Sequence, residues 1–405
     1  MIAIKKMFFI ITLLLASFLI TSCGNNQNED QKNTGYDGKV FDISLNQDKS
    51  VTLTSKKVGN NYEIEISGQG KTISYAKKEE VPWNILVKKV SRVTINNGVL
   101  DIGDYYFYSV NLDSYFLPES ITSISEHSFA NGTKIYSYNS ELKNDNYEIY
   151  HYSDKYVDDS NYFVLINNYP LVCKNYRFLF IGNSFTYRDG TPENPKVPYY
   201  FEQIAQTLGI KVEVDFVIKG SHTLAKFANK SDEMGSIVET KLTTNQYDFV
   251  ILQEQSTTPI ESYDAFNNAV KALVKRIGET QTDCQIYLYE TWGSETAIKS
   301  SKYETVAEME KALKDAYYQS ASENEVGITY VGSAFTYVYD NLKDINIYAD
   351  DNRHQNNYGA YLSACMHLNS MLHIDVNGAN YYGELDLAKA QRLQEVSSLI
   401  TYGKQ

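Results

Sequence analysis

Cysteine is scarce, with four in 405 residues. Cys23 closes an N-terminal apolar run, and the other three, Cys173, Cys284 and Cys365, are widely spaced. An odd, scattered set makes neither a disulfide framework nor a zinc signature. Buried free thiols are the expected state, with room for one bridge. Histidine is also sparse, with six residues and no ligand spacing, so no metal and no cofactor are expected. Basic charge is in deficit: 37 Lys and Arg against 50 Asp and Glu leave a net charge of −13. An acidic surface repels phosphate backbones, which excludes nucleic acid as a partner. No apolar run reaches the roughly 20 residues that span a bilayer. The N-terminal one, Met7 to Ile20 behind Lys5 and Lys6, reads as a secretory signal.

Apolar residues make up 43 % of the chain, enough for ordinary cores, and the length suits two or three domains. Tyrosine is abundant, at 35 residues; its flat face and polar tip suit sugar stacking, interfaces or plain strand packing. The signal ends in Leu19-Ile20-Thr21-Ser22-Cys23, which resembles a bacterial lipobox. That resemblance implies cleavage before Cys23, lipidation of its thiol, and a membrane anchor at the bacterial cell envelope, facing out of the cytoplasm. Gly24 to Tyr36 is polar and reads as a flexible tether. The expected division is 1–22 signal peptide, 23–38 tether, 39–172 β-rich module and 173–405 α/β domain.

The β-rich module shows period-two alternation from Val40 to about Lys77, as in Val51 to Thr54 and Tyr62 to Ile66. Two later stretches, Val93 to Phe107 and Leu117 to Phe129, share a frame that repeats after a little over twenty residues. Such a period suggests a solenoid. The stretch from about 65 to 135 resembles the leucine-rich repeat of bacterial surface proteins, with two clear copies. A surface protein or glycan is the expected partner of this module. Asn131 to Cys173, rich in Tyr and Asn, reads as the module's end and a connector.

From Tyr176 onward, short apolar runs alternate with stretches of helical period. Strands are expected at 177–181, 211–218, 247–253, 285–290 and 327–331. Helices are expected near 197–208, 264–277, 303–323, 358–372 and 386–400. Continuous rather than alternating strand runs mean burial on both faces, hence a parallel sheet. The fold class is therefore α/β, a three-layer doubly wound parallel sheet behind an N-terminal β-rich module.

Three segments carry chemistry. Gly182-Asn183-Ser184-Phe185-Thr186 follows the first strand, so Ser184 sits at a carboxyl end, where its hydroxyl can act as nucleophile and its amide can donate to an oxyanion. The G-x-S-x-G nucleophile elbow is absent. Alone, Ser184 is equally a capping serine. Asp351-x-x-His354 places a carboxylate three residues ahead of an imidazole, near enough to orient it as the base, with Asp350 a neighbouring rival. Further oxyanion donors are the Gly220 amide and a side-chain amide of Gln253 or Gln255, and Asn183 could assist. Glu290 and Trp292 end the fourth strand and would face the same crevice, as acceptor and stacking surface for a sugar; Trp292 is equally a core residue. His222 is a rival base without a well-placed acid, and Arg188 through Pro195 reads as a rim over the substrate.

Residues 176–403 resemble the SGNH (GDSL-like) hydrolases, and within them an uncharacterised bacterial family with Ile-Gly-Asn-Ser-Phe-Thr, Leu-Gln-Glu-Gln-Ser and Tyr-Glu-Thr-Trp motifs. All stand here, at Ile181–Thr186, Leu252–Ser256 and Tyr289–Trp292, with the late Asp351–His354. The resemblance implies Ser184 as nucleophile, His354 and Asp351 completing the triad, and Gly220 as the second-block glycine. The superfamily's third block normally carries Gly-x-Asn-Asp, so here a glutamine must donate. Register against the strand end favours Gln255; analogy with carbohydrate esterases having a Gln-Gly-Glu motif favours Gln253. The expected activity is a serine esterase acting on an acylated glycan or another small ester. The competing expectation is a surface binding protein with a catalytically weak hydrolase-like domain.

Overall fold

The computed structural model describes residues 34–188, 196–299 and 301–403. The signal, Cys23, most of the tether and the loop from Asp189 to Pro195 lie outside them. The described chain forms two compact units, divided between Val164 and Leu165.

In the first unit, β1 (Lys39–Asp42), β2 (Val51–Val58) and β3 (Asn61–Gly68) form an antiparallel meander, and β4 (Val90–Ile95) joins β3 in parallel. Alternation does the sorting: Val51, Leu53, Tyr62, Ile64 and Ile66 all point inward and are buried. Trp83 fills the middle of this core, edge-on to Tyr106 at 5.2 Å and to Phe41 at 5.7 Å. Its indole N–H donates to the Tyr106 carbonyl at 3.0 Å.

Short parallel rungs follow: β5 (Asp101–Ile102) pairs with β7 (Ser123–Ile124), and β6 (Ser114–Leu117), β8 (Lys134–Ser137), β9 (Glu148–Tyr152) and β10 (Tyr162–Ile166) stack in that order. Ile102 lies opposite Ile124 and Phe107 opposite Phe129, matching the period expected from sequence. The rungs do not end near residue 135. They run on through the stretch read as a connector, which is corrected here. What replaces leucine there is polar: the amides of Asn139 and Asn144 donate to the carbonyls of Ile121 and Ile124, each at 2.8 Å. The Tyr147 hydroxyl donates to the carbonyl of Glu126 at 2.8 Å. Backbone groups of one coil are thus satisfied by side chains of the next, a bond that apolar periodicity does not reveal.

In the second unit, β11 (Tyr169–Val172) leads to β12 (Tyr176–Gly182), β13 (Val212–Ile218), β14 (Phe249–Leu252), β15 (Gln285–Tyr289) and β16 (Gly327–Thr329). The last five form an all-parallel sheet in the order β13-β12-β14-β15-β16. Helices cover both faces. Leu179, Ile181, Val250, Leu252 and Leu288 pack on the side of α2 (Leu224–Ala228), α3 (Glu233–Thr244), α5 (Tyr263–Thr280) and α7 (Val306–Asn324). Phe178 and Phe180 face the other way, onto Phe201 of α1 (Val197–Thr207) and His367 of α9 (Asn357–Leu372), beside which runs α10 (Leu387–Tyr402). This is the doubly wound, three-layer α/β fold. Chain order reverses at β12, so the carboxyl ends of β12 and β14 flank the switch point where such sheets place their sites.

Among the described residues, five helices were not anticipated: the short α2, α4 (Thr258–Glu261) and α6 (Glu295–Ile298), and two longer ones. α3 carries Glu, Thr and Lys on most turns, so its apolar stripe is narrow. α8 (Val331–Asn341) begins at the last residue of the stretch Gly327 to Val331, which was read as strand for its Ile328 and Val331. Gly332 allows that start: a Cβ there would lie 2.3 Å from the Thr291 carbonyl oxygen.

His367 is buried between Phe180 and Tyr289, and among the described residues neither ring nitrogen has a partner. Burial pushes its pKa down to about 3. The unfolded chain, with an ordinary histidine near 6.5, therefore binds the proton first as pH falls. Stability contributed by the neutral ring is present above pH about 6.5 and lost below it, at up to ~1.4 kcal/mol per pH unit. His367→Phe is expected to flatten this part of the unfolding midpoint against pH, measured from pH 7 to 4.

Candidate active site

The turn that carries Ser184 is built by its own polar side chains. After β12, the Asn183 carbonyl accepts the amides of Thr186 and Tyr187, at 2.9 and 3.1 Å. The Asn183 side-chain oxygen accepts the Phe185 amide at 3.2 Å. Gln253, just past β14, locks this turn from the neighbouring strand. Its carbonyl oxygen accepts the Asn183 amide at 2.8 Å and the Thr186 hydroxyl at 3.0 Å, while its amide donates to the Asn183 side-chain oxygen at 2.9 Å. Gly182 is required by closeness: a Cβ there would lie 2.6 Å from Gln253 Oε1 and 2.7 Å from Thr186 Oγ1.

The late loop is folded by Asp351. Its Oδ1 accepts the amides of Arg353 and His354, at 3.1 and 2.9 Å, and its Oδ2 accepts the His354 ring at Nδ1, 2.7 Å away. Asn352 takes the left-handed backbone that turn needs, with φ of 49°. Asn356 then caps α9 by accepting the Gly359 amide at 3.1 Å. His354 is thereby held just ahead of a rigid helix, and its Nε2 lies 2.9 Å from Ser184 Oγ. Ser184, His354 and Asp351 form one continuous hydrogen-bonded chain.

Charge around this chain is set by named neighbours. Burial raises the Asp351 pKa, but the His354 amide and ring and the Arg353 amide outweigh it, holding the carboxyl down at about 2. Burial is also the largest influence on His354 and lowers its pKa; the Asp351 carboxylate opposes, while Arg188 and Arg353 add to the lowering. The ring is neutral at neutral pH, with Nδ1–H directed at Asp351 and Nε2 free to take a proton.

The other expected residues fall elsewhere. Among the described residues, the amides of Ser184 and Gly220 have no hydrogen-bond partner, and Gly220 lies in the exposed turn after β13. That turn is tied to the site, since the Asn183 side-chain Nδ2 donates to the His222 carbonyl at 3.0 Å. The Gln253 side chain is spent on bracing, so it is no oxyanion donor in this geometry. Gln255 is half-buried; its amide donates to Ser256 Oγ at 3.1 Å and its oxygen accepts the Thr258 hydroxyl at 3.1 Å. Asn183 is likewise a brace. His222 faces Asp232, 3.4 Å away, rather than Ser184.

Glu290 and Trp292 require correction, because neither faces a crevice: they are 0 % and 1 % exposed. Glu290 accepts the Ser333 amide at 2.9 Å. Burial pushes its pKa up to about 7, and its neighbour Glu310 well above the usual range. Trp292 is stacked between Phe185, at 4.4 Å and 4°, and Phe335, at 3.9 Å and 11°. Its N–H donates to the Arg353 carbonyl at 2.9 Å. It holds the Ser184 turn and the late loop from behind.

Sequence reasoning missed Gln355 and Arg353. The Gln355 side-chain Nε2 donates to the Ser184 carbonyl at 2.9 Å, and the Arg353 guanidinium donates to Ser256 Oγ at 2.6 Å. Their adjacency to His354 was the only available signal. Among the described residues no group of three or more acidic, Cys or His side chains could hold a metal.

Residues 87–162 match the family model described as BspA type Leucine rich repeat region, in six copies. The repeat thus begins later and runs further than the stretch of 65–135 expected from sequence. No match was found among curated proteins. Similar solved structures include a DUF4886 family protein from Bacteroides uniformis, with 18 % identity and a TM-score of 0.47 over 57 % of this chain and 96 % of that one. A protein from Slackia heliotrinireducens assigned to the SGNH hydrolases has 22 % identity and a TM-score of 0.40, over 49 % of this chain and 100 % of its own. An acetylxylan esterase from Geobacillus stearothermophilus has 16 % identity and a TM-score of 0.38, over 48 % of this chain and 94 % of its own.

Proposed function

We propose that the chain is a serine ester hydrolase that removes acetyl or other short acyl groups, from a glycan, at the outside of a bacterial cell. The observation that carries this reading is the Ser184–His354–Asp351 chain, 2.9 and 2.7 Å at its two links. Ser184 Oγ attacks the ester carbonyl while His354 Nε2 takes its proton. The amides of Ser184 and Gly220 are offered to the oxyanion. His354 returns the proton to the leaving alcohol, and water repeats the sequence on the acyl-enzyme. Asp351 stays ionised throughout, orienting the ring and stabilising the imidazolium.

The envelope location and lipid anchor rest on the Lys-led apolar run and the lipobox pattern ending in Cys23. The acylated glycan rests on that location together with the motif resemblance to SGNH hydrolases. The repeat match at 87–162 favours a second role, docking on a surface glycan or protein, beside the catalytic one.

The test is hydrolysis of a chromogenic acetyl ester, followed by acetate release from acetylated oligosaccharides. Because burial lowers the His354 pKa, activity is retained above that pKa and lost as pH falls through it. The limb of kcat/KM against pH is therefore expected below the ordinary histidine value of about 6.5. A limb above that value, or no turnover of any ester, contradicts the reading.

A further inference from the structure

The carboxylate of the triad is not sealed from water. The Asp351 side chain is 34 % exposed, and the group laid over it is Arg188 from the nucleophile turn. The guanidinium Nη2 stands 3.0 Å from Asp351 Oδ2, the same oxygen that accepts His354 Nδ1 at 2.7 Å. Oδ1 is already occupied by two backbone amides of its own loop. Without Arg188, therefore, the open side of Oδ2 would face solvent. Arg188 is well placed to stay there: Tyr187, just before it, forms a backbone bridge with Lys196, whose ammonium also lies 4.9 Å from the Tyr187 ring.

We infer that Arg188 is a positioning residue of the catalytic triad, fastening Asp351 across to the turn that carries Ser184 and doing by charge what burial does elsewhere. This rests on the esterase reading above. The pair joins the two loops whose relative placement sets the 2.9 Å contact between Ser184 and His354. Its charge also acts on the ring. The charged groups around His354 are Asp351 and Arg353 of its own loop and Arg188 from across; Arg353 is drawn aside toward Ser256 Oγ at 2.6 Å. A second cation on Asp351 Oδ2 disfavours the imidazolium, so Arg188 keeps the base neutral further into the acid range.

The experiment compares Arg188→Gln, Arg188→Met and Arg188→Lys with the wild-type chain. The first two are expected to lower kcat about threefold to fivefold at pH 8, the scale of a partly exposed ion pair, with KM unchanged. Their loss is expected to grow toward acid, because the limb of the pH profile moves up. Arg188→Lys should keep the wild-type limb. The His354 ring is titrated by NMR in the same variants, without turnover. A raised His354 pKa in the Gln and Met variants, absent in the Lys variant, supports the inference even if no ester is hydrolysed, so it stands apart from failure of the esterase reading. An unmoved His354 pKa, or an effect confined to KM, overturns it. Should one neutral variant fail to fold, the other carries the test with the same two outcomes.

Discussion

Ser184→Ala is expected to reduce kcat for ester hydrolysis by about 10⁴–10⁶-fold while leaving the unfolding midpoint within about 1 °C of wild type. The change removes one half-buried oxygen whose only side-chain partner among the described residues is His354 Nε2. The turn itself is held by Asn183, Gln253 and the Gln355 contact to the Ser184 carbonyl, none of which uses the hydroxyl. His354→Ala should cost nearly as much, because neither group works without the other, and the double variant should be little worse than either single one. Steady-state kinetics beside thermal unfolding separates these outcomes. Additive losses would mean that Ser184 and His354 do not act as one unit.

Trp292→Ala is expected to cost about 3–5 kcal/mol of stability, lowering the unfolding midpoint by roughly 10 °C, and to lose most activity as well. The indole is sandwiched between Phe185 and Phe335 and is 1 % exposed, so truncation leaves a cavity that two flanking rings cannot fill without moving. Phe185 belongs to the Ser184 turn, and the Arg353 carbonyl, which loses its N–H donor, belongs to the late loop. Both halves of the site therefore lose their common support. Trp292→Phe restores the stack but not the donor, so stability should largely return while kcat recovers only in part. A Trp292→Ala chain with normal melting but no activity would instead assign the ring to substrate contact.

Sequence was most informative where the chemistry is local. The spacing Asp351-x-x-His354 is readable because one carboxylate serves the loop's own amides through Oδ1 and the ring through Oδ2. The position of Ser184 after β12 is readable because an unbroken apolar run marks a buried parallel strand. The remaining features depend on contacts far apart in sequence. A strand end tells how high a side chain stands on the sheet, but not toward which helices or loops it turns; Glu290 and Trp292 share a strand end with the site and turn inward. Gln253 looked like a free amide until Asn183 was seen to occupy it. The choice between Asp350 and Asp351 was settled by the turn, which leaves Asp350 exposed. In the first unit, Asn139 and Asn144 hold repeat rungs through side-chain amides, so their stretch looked irregular to a reading based on apolar period.

The most direct test of the central claim, that Ser184 is the activated nucleophile, needs no knowledge of the natural ester. The protein is incubated with a fluorophosphonate, and the adduct is located by peptide mass spectrometry in the wild-type and His354→Ala chains. The account predicts one stoichiometric adduct on Ser184 in the wild type and a rate of labelling lower by orders of magnitude in His354→Ala. An unlabelled Ser184, or labelling that ignores the loss of His354, would contradict it.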